Sequence, residues 1–500
     1  MPVSPNITPT DTTEDMEEIL SSEEVQSIKK RSVTGAISYF MKTALLQFFG
    51  LTTAFILSAF FEPEDFGVYG YVTQIIGLLI FFSDVGLAAS LVQKKKEPSL
   101  TDYRTAFTVQ QLLSWVIVIL VLIISQTGIV QNKVGQDGIW ILLALAISFP
   151  LASLKTISSI KLERELKFSL LIVPQIVEQL IFDGILIYLA WNGMGVVAYA
   201  WAVAMRSIIG TLVMWSIRPW KVGIKFSKKS LKNLLGFGVK FQVNDFLARI
   251  KDQLYFLVLG QLLPLNQFGY IQWAKNWSMY PYNLTVQNVM AITFPTFSRL
   301  QQHKKLLQKA LEKSIFFISL LIFPILGFMC LLITPLTMVI EQYNKWQPAI
   351  LSFILFALSV GWAAVSTPMV NTLNAIGKIN KSLKLMVIWT SLTWVITPVT
   401  LLIFGYDGVA IAAFIISFTS VLSIFFVKKF IEVRVWSQIW RQLLGVLAMS
   451  IVGLLMMNFA SQSISRMLFS AVAMGLSYLL VMITIGHNKL LSEIRSLRNS

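Results

Sequence analysis

Residues 240–256 read KFQVNDFLARIKDQLYF. Apolar sequence flanks this stretch on both sides, yet it carries Lys240, Asp245, Arg249, Lys251 and Asp252. It is either a loop between membrane spans or a span that holds five charges. The remainder of the chain decides between the two.

The 500-residue chain has a mean hydropathy of +0.69 and is 13% charged, where soluble domains run near roughly a quarter. So much apolar surface calls for lipid as the solvent, in which a spanning helix takes about 20 mostly apolar residues. The net charge of +16 would suggest nucleic acid for a soluble protein. In a membrane protein it marks cytoplasmic loops, and no nucleic-acid partner is expected. With Cys330 as the one cysteine, the chain holds no internal disulfide or cysteine metal site. His303 and His487 stand far apart in basic surroundings. No metal site, catalytic triad or phosphate-cradling glycine loop is legible. Residues 11–24 (DTTEDMEEILSSEE) are acidic, unlike the basic start of a signal peptide, and 1–32 reads as a cytoplasmic tail.

Apolar runs of spanning length occur at 33–60, 66–92, 105–128, 137–159, 168–191 and 195–217, then at 233–259, 268–297, 311–334, 346–373, 383–404, 408–427, 442–461 and 467–486. Lys and Arg collect in cytoplasmic loops. With the N-terminus inside, the outside loops hold only Lys133, Lys345 and Arg466, while clusters such as Lys94, Lys95 and Lys96, or Lys228, Lys229 and Lys232, fall inside. Removing the 233–259 crossing moves every later loop to the other side and destroys this asymmetry. The opening stretch is therefore expected to cross the membrane, in an all-α polytopic protein of fourteen spans with both termini cytoplasmic. The outside loops AWNGMG (190–195), GQLLPLNQ (260–267) and FGYDG (404–408) are short. They leave no room for an outer catalytic domain, so no enzyme is expected.

The chain repeats. PEDFGVYGYVTQI (63–75) follows the first span and PLNQFGYIQWAKNW (264–277) the seventh; Pro63 matches Pro264, and Phe66-Gly67 matches Phe268-Gly269. LVQKKK (91–96) parallels LQQHKK (300–305). Each repeat has six spans, an even number, so the copies are parallel and related by an axis along the membrane normal. This divides the chain into an N-lobe at 33–217, a basic linker at 218–232, a C-lobe at 233–430, two added spans at 431–486 and a tail at 487–500.

LSAFFEPEDFGVYGYVTQIIGLLIFFSDVGLAASLVQKK (57–95) resembles the first hairpin of polysaccharide flippases, the O-antigen and teichuronic-type transporters of the multidrug/oligosaccharidyl-lipid/polysaccharide exporter superfamily. LERELKFS (162–169) and LNAIGKINKSLKL (373–385) are similar to that family's inner-loop patterns. The resemblance implies two six-helix lobes facing each other, with the first helix of each lining a central cavity. It also implies movement of an undecaprenyl-diphosphate-linked oligosaccharide from the inner to the outer leaflet. The partners it implies are that lipid-linked glycan, membrane lipid and other polysaccharide assembly proteins. No cofactor is expected beyond H⁺ or Na⁺ coupling.

With Lys155, Lys313 and Lys384 at the span ends assigned to the inner segments by their charge, six basic residues remain within the spans: Lys42, Arg206, Lys240, Arg249, Lys251 and Lys275. A charge costs a few kcal/mol at the bilayer centre unless it faces protein or water. On a helix Asp245, Arg249 and Asp252 lie within about 60° of one another, a self-neutralising ladder. Lys240 and Lys251 share another face, where Lys251 has no acid partner on its own helix. Lys42, Lys251 and Lys275 are read as partners for a diphosphate, and Arg249 as either a phosphate fork or a structural pair. Arg206 is expected to pair with Glu178 or Asp183 across the hairpin that turns near Gly193. Asp84, Asp245 and Asp252 are candidates for a coupling ion. Trp273, Trp277 and Tyr280 share a helix face suited to stacking on sugar rings, a pattern that core packing also produces. A multidrug or cation antiporter of the same superfamily, a lipid II flippase and a membrane glycosyl-polymerase are the competing readings; the short outer loops count against the last.

Overall fold

The computed structural model describes residues 43, 45–94 and 96–487, with only the backbone described for 237–252 and 292. Lys42 and the tail at 1–32 lie outside the described residues. So do the side chains of Lys240, Asp245, Arg249, Lys251 and Asp252.

The described chain is helical. Its first half comprises α1 (Leu45–Phe60), α2 (Pro63–Leu79), α3 (Leu87–Gln93), α4 (Leu100–Gln126), α5 (Gly128–Arg164), α6 (Phe168–Trp191) and α7 (Ala198–Ile217). The second half comprises α8 (Lys228–Leu262), α9 (Leu265–Tyr282), α10 (Asn288–Arg299), α11 (Lys304–Val339), α12 (Ile350–Ala375), α13 (Ile379–Phe404), α14 (Gly408–Ser417) and α15 (Val421–Lys428). α16 (Val435–Leu455), α17 (Met457–Ala460) and α18 (Ile464–Thr484) follow. Among the described residues ten helices are long and apolar enough to cross a membrane. The stretch 240–256 lies inside α8, a continuous helix of 35 residues.

Burial is inverted relative to a water-soluble bundle. Leu112, Trp115, Ile119 and Ile123 of α4, and Leu468, Phe469, Val472 and Leu476 of α18, stand exposed in apolar stripes. Polar side chains such as Ser58, Ser114, Ser278, Ser352 and Gln442 are buried. A bundle dissolved in lipid gains nothing by hiding leucine and must satisfy its polar groups internally. Ser58 and Ser278 do so by donating to the helix carbonyls of Ala54 and Lys275.

Several of the apolar runs are not single helices. The run at 66–92 breaks at Ser83–Gly86, where Val85 and Gly86 have φ of 50° and 77°. Asp84 occupies the break: its carboxylate accepts from the Ala88 backbone N–H at 3.1 Å and from the Gln110 amide. The 268–297 run passes through a π-turn at Asn283–Gln287, just after Pro281, because proline removes one backbone donor from the ladder.

The motifs at 162–169 and 373–385 are matched helix ends. α5 closes with Lys167 N–H donating to Leu162 O at 2.9 Å, and α12 with Lys378 N–H donating to Leu373 O at 2.8 Å. This is the Schellman arrangement, which needs a left-handed residue just past the helix. Gly377 supplies it at φ 72°, and Leu166 takes the same place at φ 56°.

Candidate functional site

The two Phe-Gly motifs meet. α2 packs on α9, and at their crossing a Cβ added to Gly67 would overlap the Leu265 carbonyl, while one added to Gly269 would overlap that of Pro63. The register that carries Gly67 onto Gly269 is one residue off the Pro63–Pro264 match and carries Pro63 onto Leu265, so the two contacts are one contact related by the repeat. The same register carries Gly70 onto Gln272, and these two residues touch each other. A pseudo-two-fold axis therefore passes through this crossing, here called the FG end of the bundle.

Aromatic side chains tie the halves together there. Trp273 stacks on Trp346, with centroids 4.7 Å apart and planes at 9°, and its indole N–H donates to Ser58 Oγ at 2.9 Å. The Trp346 N–H donates to Ser58 O at 2.7 Å. Tyr71, the repeat mate of Trp273, donates to Gln261 Oε1 at 2.7 Å and covers Gly260. One apolar core spans both halves at this end, containing Phe61, Phe268, Trp273, Tyr343, Trp346 and Phe353.

Beneath the crossing lies a cavity of about 300 Å³. α1, α2, α6 and α9 line it, with Tyr199 at its edge. Its polar groups include Thr53, Thr73, Gln74, Gln179, Asp183, Gln272 and Asn276; its aromatic faces include Tyr69, Phe182, Trp277 and Tyr280. Gln74 and Asn276 are repeat mates, one amide from each half. Asp183 is buried, and both of its oxygens accept from Gln179 Nε2 at 2.9 Å. Tyr69 and Tyr199 stack at 3.8 Å, and Tyr280 donates to Gly50 O at 3.2 Å. None of the described residues lining the cavity is basic.

The structure divides the residues singled out in the sequence. Trp273, Trp277 and Tyr280 all line the cavity, but Trp273 is 1% exposed and its ring is held in the aromatic core by its stack. Arg206 Nε lies 3.9 Å from Glu178, and its guanidinium sits 5.5 Å from the Phe182 ring centre. Asp183 does not share that ion pair; it belongs to the cavity. Glu178 has a nearer cation in Lys155, a residue assigned to an inner loop by its charge. After its break at Gly135, α5 is helical to Arg164, so Lys155 lies on the helix and not in the loop after it. Lys275 lies 3.4 Å from the Phe256 ring centre, a cation–π contact with α8, away from the cavity lining. Asp84 is held at the α2–α3 break as described. Sequence reasoning missed Thr53, Gln74, Gln179, Gln272 and Asn276. Two signals pointed to them: Gln74 and Asn276 occupy matching repeat positions, and Gln179 precedes Asp183 by one helical turn.

Sequence comparison extends this picture. The protein is similar to the lipopolysaccharide biosynthesis protein WzxC of Escherichia coli K12, at 23% identity over 73% of this chain and 74% of that protein. It is also similar to the succinoglycan biosynthesis transport protein ExoT of Rhizobium meliloti, at 21% identity over 66% and 67%. In fold it resembles the lipid II flippase MurJ in an inward closed conformation, with TM-score 0.69 and 16% identity over 92% of this chain and 100% of that one. An inward-facing multidrug resistance MATE transporter of the MOP superfamily matches with TM-score 0.55 and 13% identity over 79% and 98%. Residues 56–351 match the polysaccharide biosynthesis protein family, which covers both Phe-Gly motifs and every residue lining the cavity except Gly50, Thr53 and Ala54 of α1. By that match this multi-pass helical membrane protein belongs to the polysaccharide biosynthesis protein family.

Proposed function

We propose that the protein moves a lipid-diphosphate-linked oligosaccharide across the cell membrane by alternating access, for assembly of a surface polysaccharide. The observation that carries this reading is the cavity between the halves. It offers aromatic faces beside amides and a carboxylate, the chemistry that stacks on sugar rings and hydrogen-bonds their hydroxyls. The FG end faces outward, both termini lie in the cytoplasm, and the chain crosses fourteen times in two lobes, 33–217 and 233–430, with an added pair at 431–486. A sugar headgroup enters from the inner side beneath the FG crossing, while its lipid stays in the bilayer. Trp277 and Tyr280 stack on a sugar ring; Asp183, Gln74 and Asn276 hold hydroxyls.

The diphosphate needs positive charge, and Lys42, Arg249, Lys251 and Lys275 remain its candidates. Asp245 and Asp252 remain the candidates for coupling to H⁺ or Na⁺. Asp84 is the weaker one, because its carboxylate already satisfies a helix start. A carboxylate in a cavity whose described lining carries no base also suits an organic cation, so export of a cationic small molecule is the second reading.

Complementation separates the two. In a host lacking its own flippase the wild-type chain restores surface glycan and clears lipid-linked glycan from the inner leaflet, and Lys42→Ala with Lys251→Ala abolishes this at matched expression. Persistent inner-leaflet glycan, together with gained resistance to cationic dyes, supports the second reading instead.

A further inference from the structure

Lys133 and Lys345 occupy equivalent places, and each reaches into the opposite half. Lys133 Nζ donates to Gln261 O at 3.2 Å and to Leu263 O at 2.6 Å, at the C-terminal end of α8. Lys345 Nζ donates to Ala59 O at 3.1 Å, at the C-terminal end of α1, and to Glu62 Oε1 at 3.2 Å. The register that carries Gly67 onto Gly269 also carries Ala59 onto Gln261, so the two acceptors are repeat mates. The lysines do not share that register, which carries Lys133 onto Pro335, but they stand in the segments that lead into the equivalent helices α5 and α12. Lys133 lies on the short segment of α5 before its break at Gly135, where φ is 65°. Lys345 lies on the 3₁₀ segment Glu341–Ala349 that leads into α12.

We infer that Lys133 and Lys345 are a pair of exchanged latches that hold the FG end shut, and so act as positioning residues in the transport cycle. The last carbonyls of a helix have no partner within it and carry partial negative charge. A lysine from the other half supplies the missing donor and opposite charge, and does so only while the halves are together. Both latches reach the rim: Glu62 is 66% exposed and Lys345 19%, and the Lys133 bond to Gln261 O is exposed while that to Leu263 O is part-buried. When the halves separate, water solvates the freed ammonium and carbonyl groups, so the latches release without stranding a buried charge. Had the lysines been buried in the apolar core behind them, opening would have been prohibitive.

Arg466 supplies the contrast. It is the third base assigned to the outer loops by sequence, but it lies 5.2 Å from the Phe459 ring centre, within the added C-terminal helices. It bridges nothing between the halves and is not a latch.

The inference rests on the alternating-access reading, but its test needs no glycan. Spin labels at Glu64→Cys and Asn266→Cys, exposed repeat mates on opposite sides of the FG crossing, report the separation of the halves in a Cys330→Ser background. The wild-type protein gives one short distance. Lys133→Met and Lys345→Met each raise the population at long distance by about tenfold, and together by about a hundredfold. Lys→Arg at either site restores the short distance because the cation and its donors remain. Glu62→Lys, which leaves Lys345 in place but opposes it with a like charge, opens the end as Lys345→Met does. Arg466→Met leaves the distribution unchanged. An unchanged distribution in the double Met variant, with melting temperature preserved, overturns the latch. So does equal opening by Lys→Arg. If distances shift as expected while no glycan moves, the latch stands and the substrate assignment fails.

Discussion

Gly67 and Gly269 face each other where α2 crosses α9, and the backbone N of Gly67 lies 3.1 Å from where a Cβ on Gly269 would sit. The crossing is backbone against backbone, and the repeat makes it reciprocal. Such close approach needs glycine, as at other membrane helix contacts. A methyl group on either residue must push the helices apart. Gly269→Ala and Gly67→Ala are each expected to cost about 1–3 kcal/mol, read as a lowered melting temperature in detergent. Gly184→Ala, with open space around it, should be neutral. Equal melting for all three variants would mean that the crossing is looser than described.

Leu166 and Gly377 perform the same turn, but only Gly377 does so without steric cost. A left-handed conformation costs an L-residue roughly 1–2 kcal/mol, part of which glycine returns as unfolded-chain entropy. Leu166→Gly should therefore stabilise the protein by about 0.5–1 kcal/mol, since the leucine side chain is exposed and little packing is lost. Gly377→Leu should destabilise by about 1–2 kcal/mol. Thermal unfolding of the two variants checks both signs.

Within the cavity, contact and scaffold separate by position. Trp277→Ala should reduce glycan transfer by about tenfold, the upper range for one aromatic stack, with a smaller loss of melting temperature than Trp346→Ala, since Trp277 is only half-buried. Asp183→Asn should likewise impair transfer while the fold persists, because Gln179 can turn its amide to keep a hydrogen bond. Trp346→Ala should do the reverse: it removes the stacking partner of Trp273 and a donor to Ser58, and a large core aromatic costs about 3–5 kcal/mol. Wild-type transfer by Trp277→Ala would move the sugar site elsewhere.

Orientation has its own test. In a Cys330→Ser background, cysteines at Asn192 and Asp407 should react with an impermeant maleimide from outside, and one at Lys228 only after permeabilisation. Labelling of Lys228→Cys in intact cells would reverse the bundle and place the FG end on the cytoplasmic side.

Much of the architecture was legible because lipid imposes a coarse rule. A run such as 311–334 must be helical, and a helix is found there within Lys304–Val339. The Phe-Gly pair was legible as a repeat, but not as a contact: sequence shows that two segments match, not that matching segments touch. Charge counting treated Lys133 and Lys345 as topology alone, since their acceptors are backbone carbonyls, which leave no trace in side-chain chemistry. Counting Lys155 as an inner base left its ion pair with Glu178 unseen, because that partner stands on the next helix. Asp183 was paired with Arg206 by depth, which fixes height in the bilayer but not the direction in which a side chain points. On the helix Asp183 has Gln179 one turn away, and that local amide satisfies it.

The central claim is that the cavity carries the glycan headgroup of a lipid-linked substrate from one leaflet to the other. It is tested most directly with purified protein in liposomes loaded with a fluorescent polyprenyl-diphosphate oligosaccharide, by following how much becomes accessible to an impermeant quencher. The account predicts that wild-type protein carries the protected fraction to the outer leaflet, and that Trp277→Ala and Asp183→Asn slow this at equal reconstitution. Protected substrate that stays protected with folded wild-type protein, across imposed H⁺ and Na⁺ gradients, would contradict it.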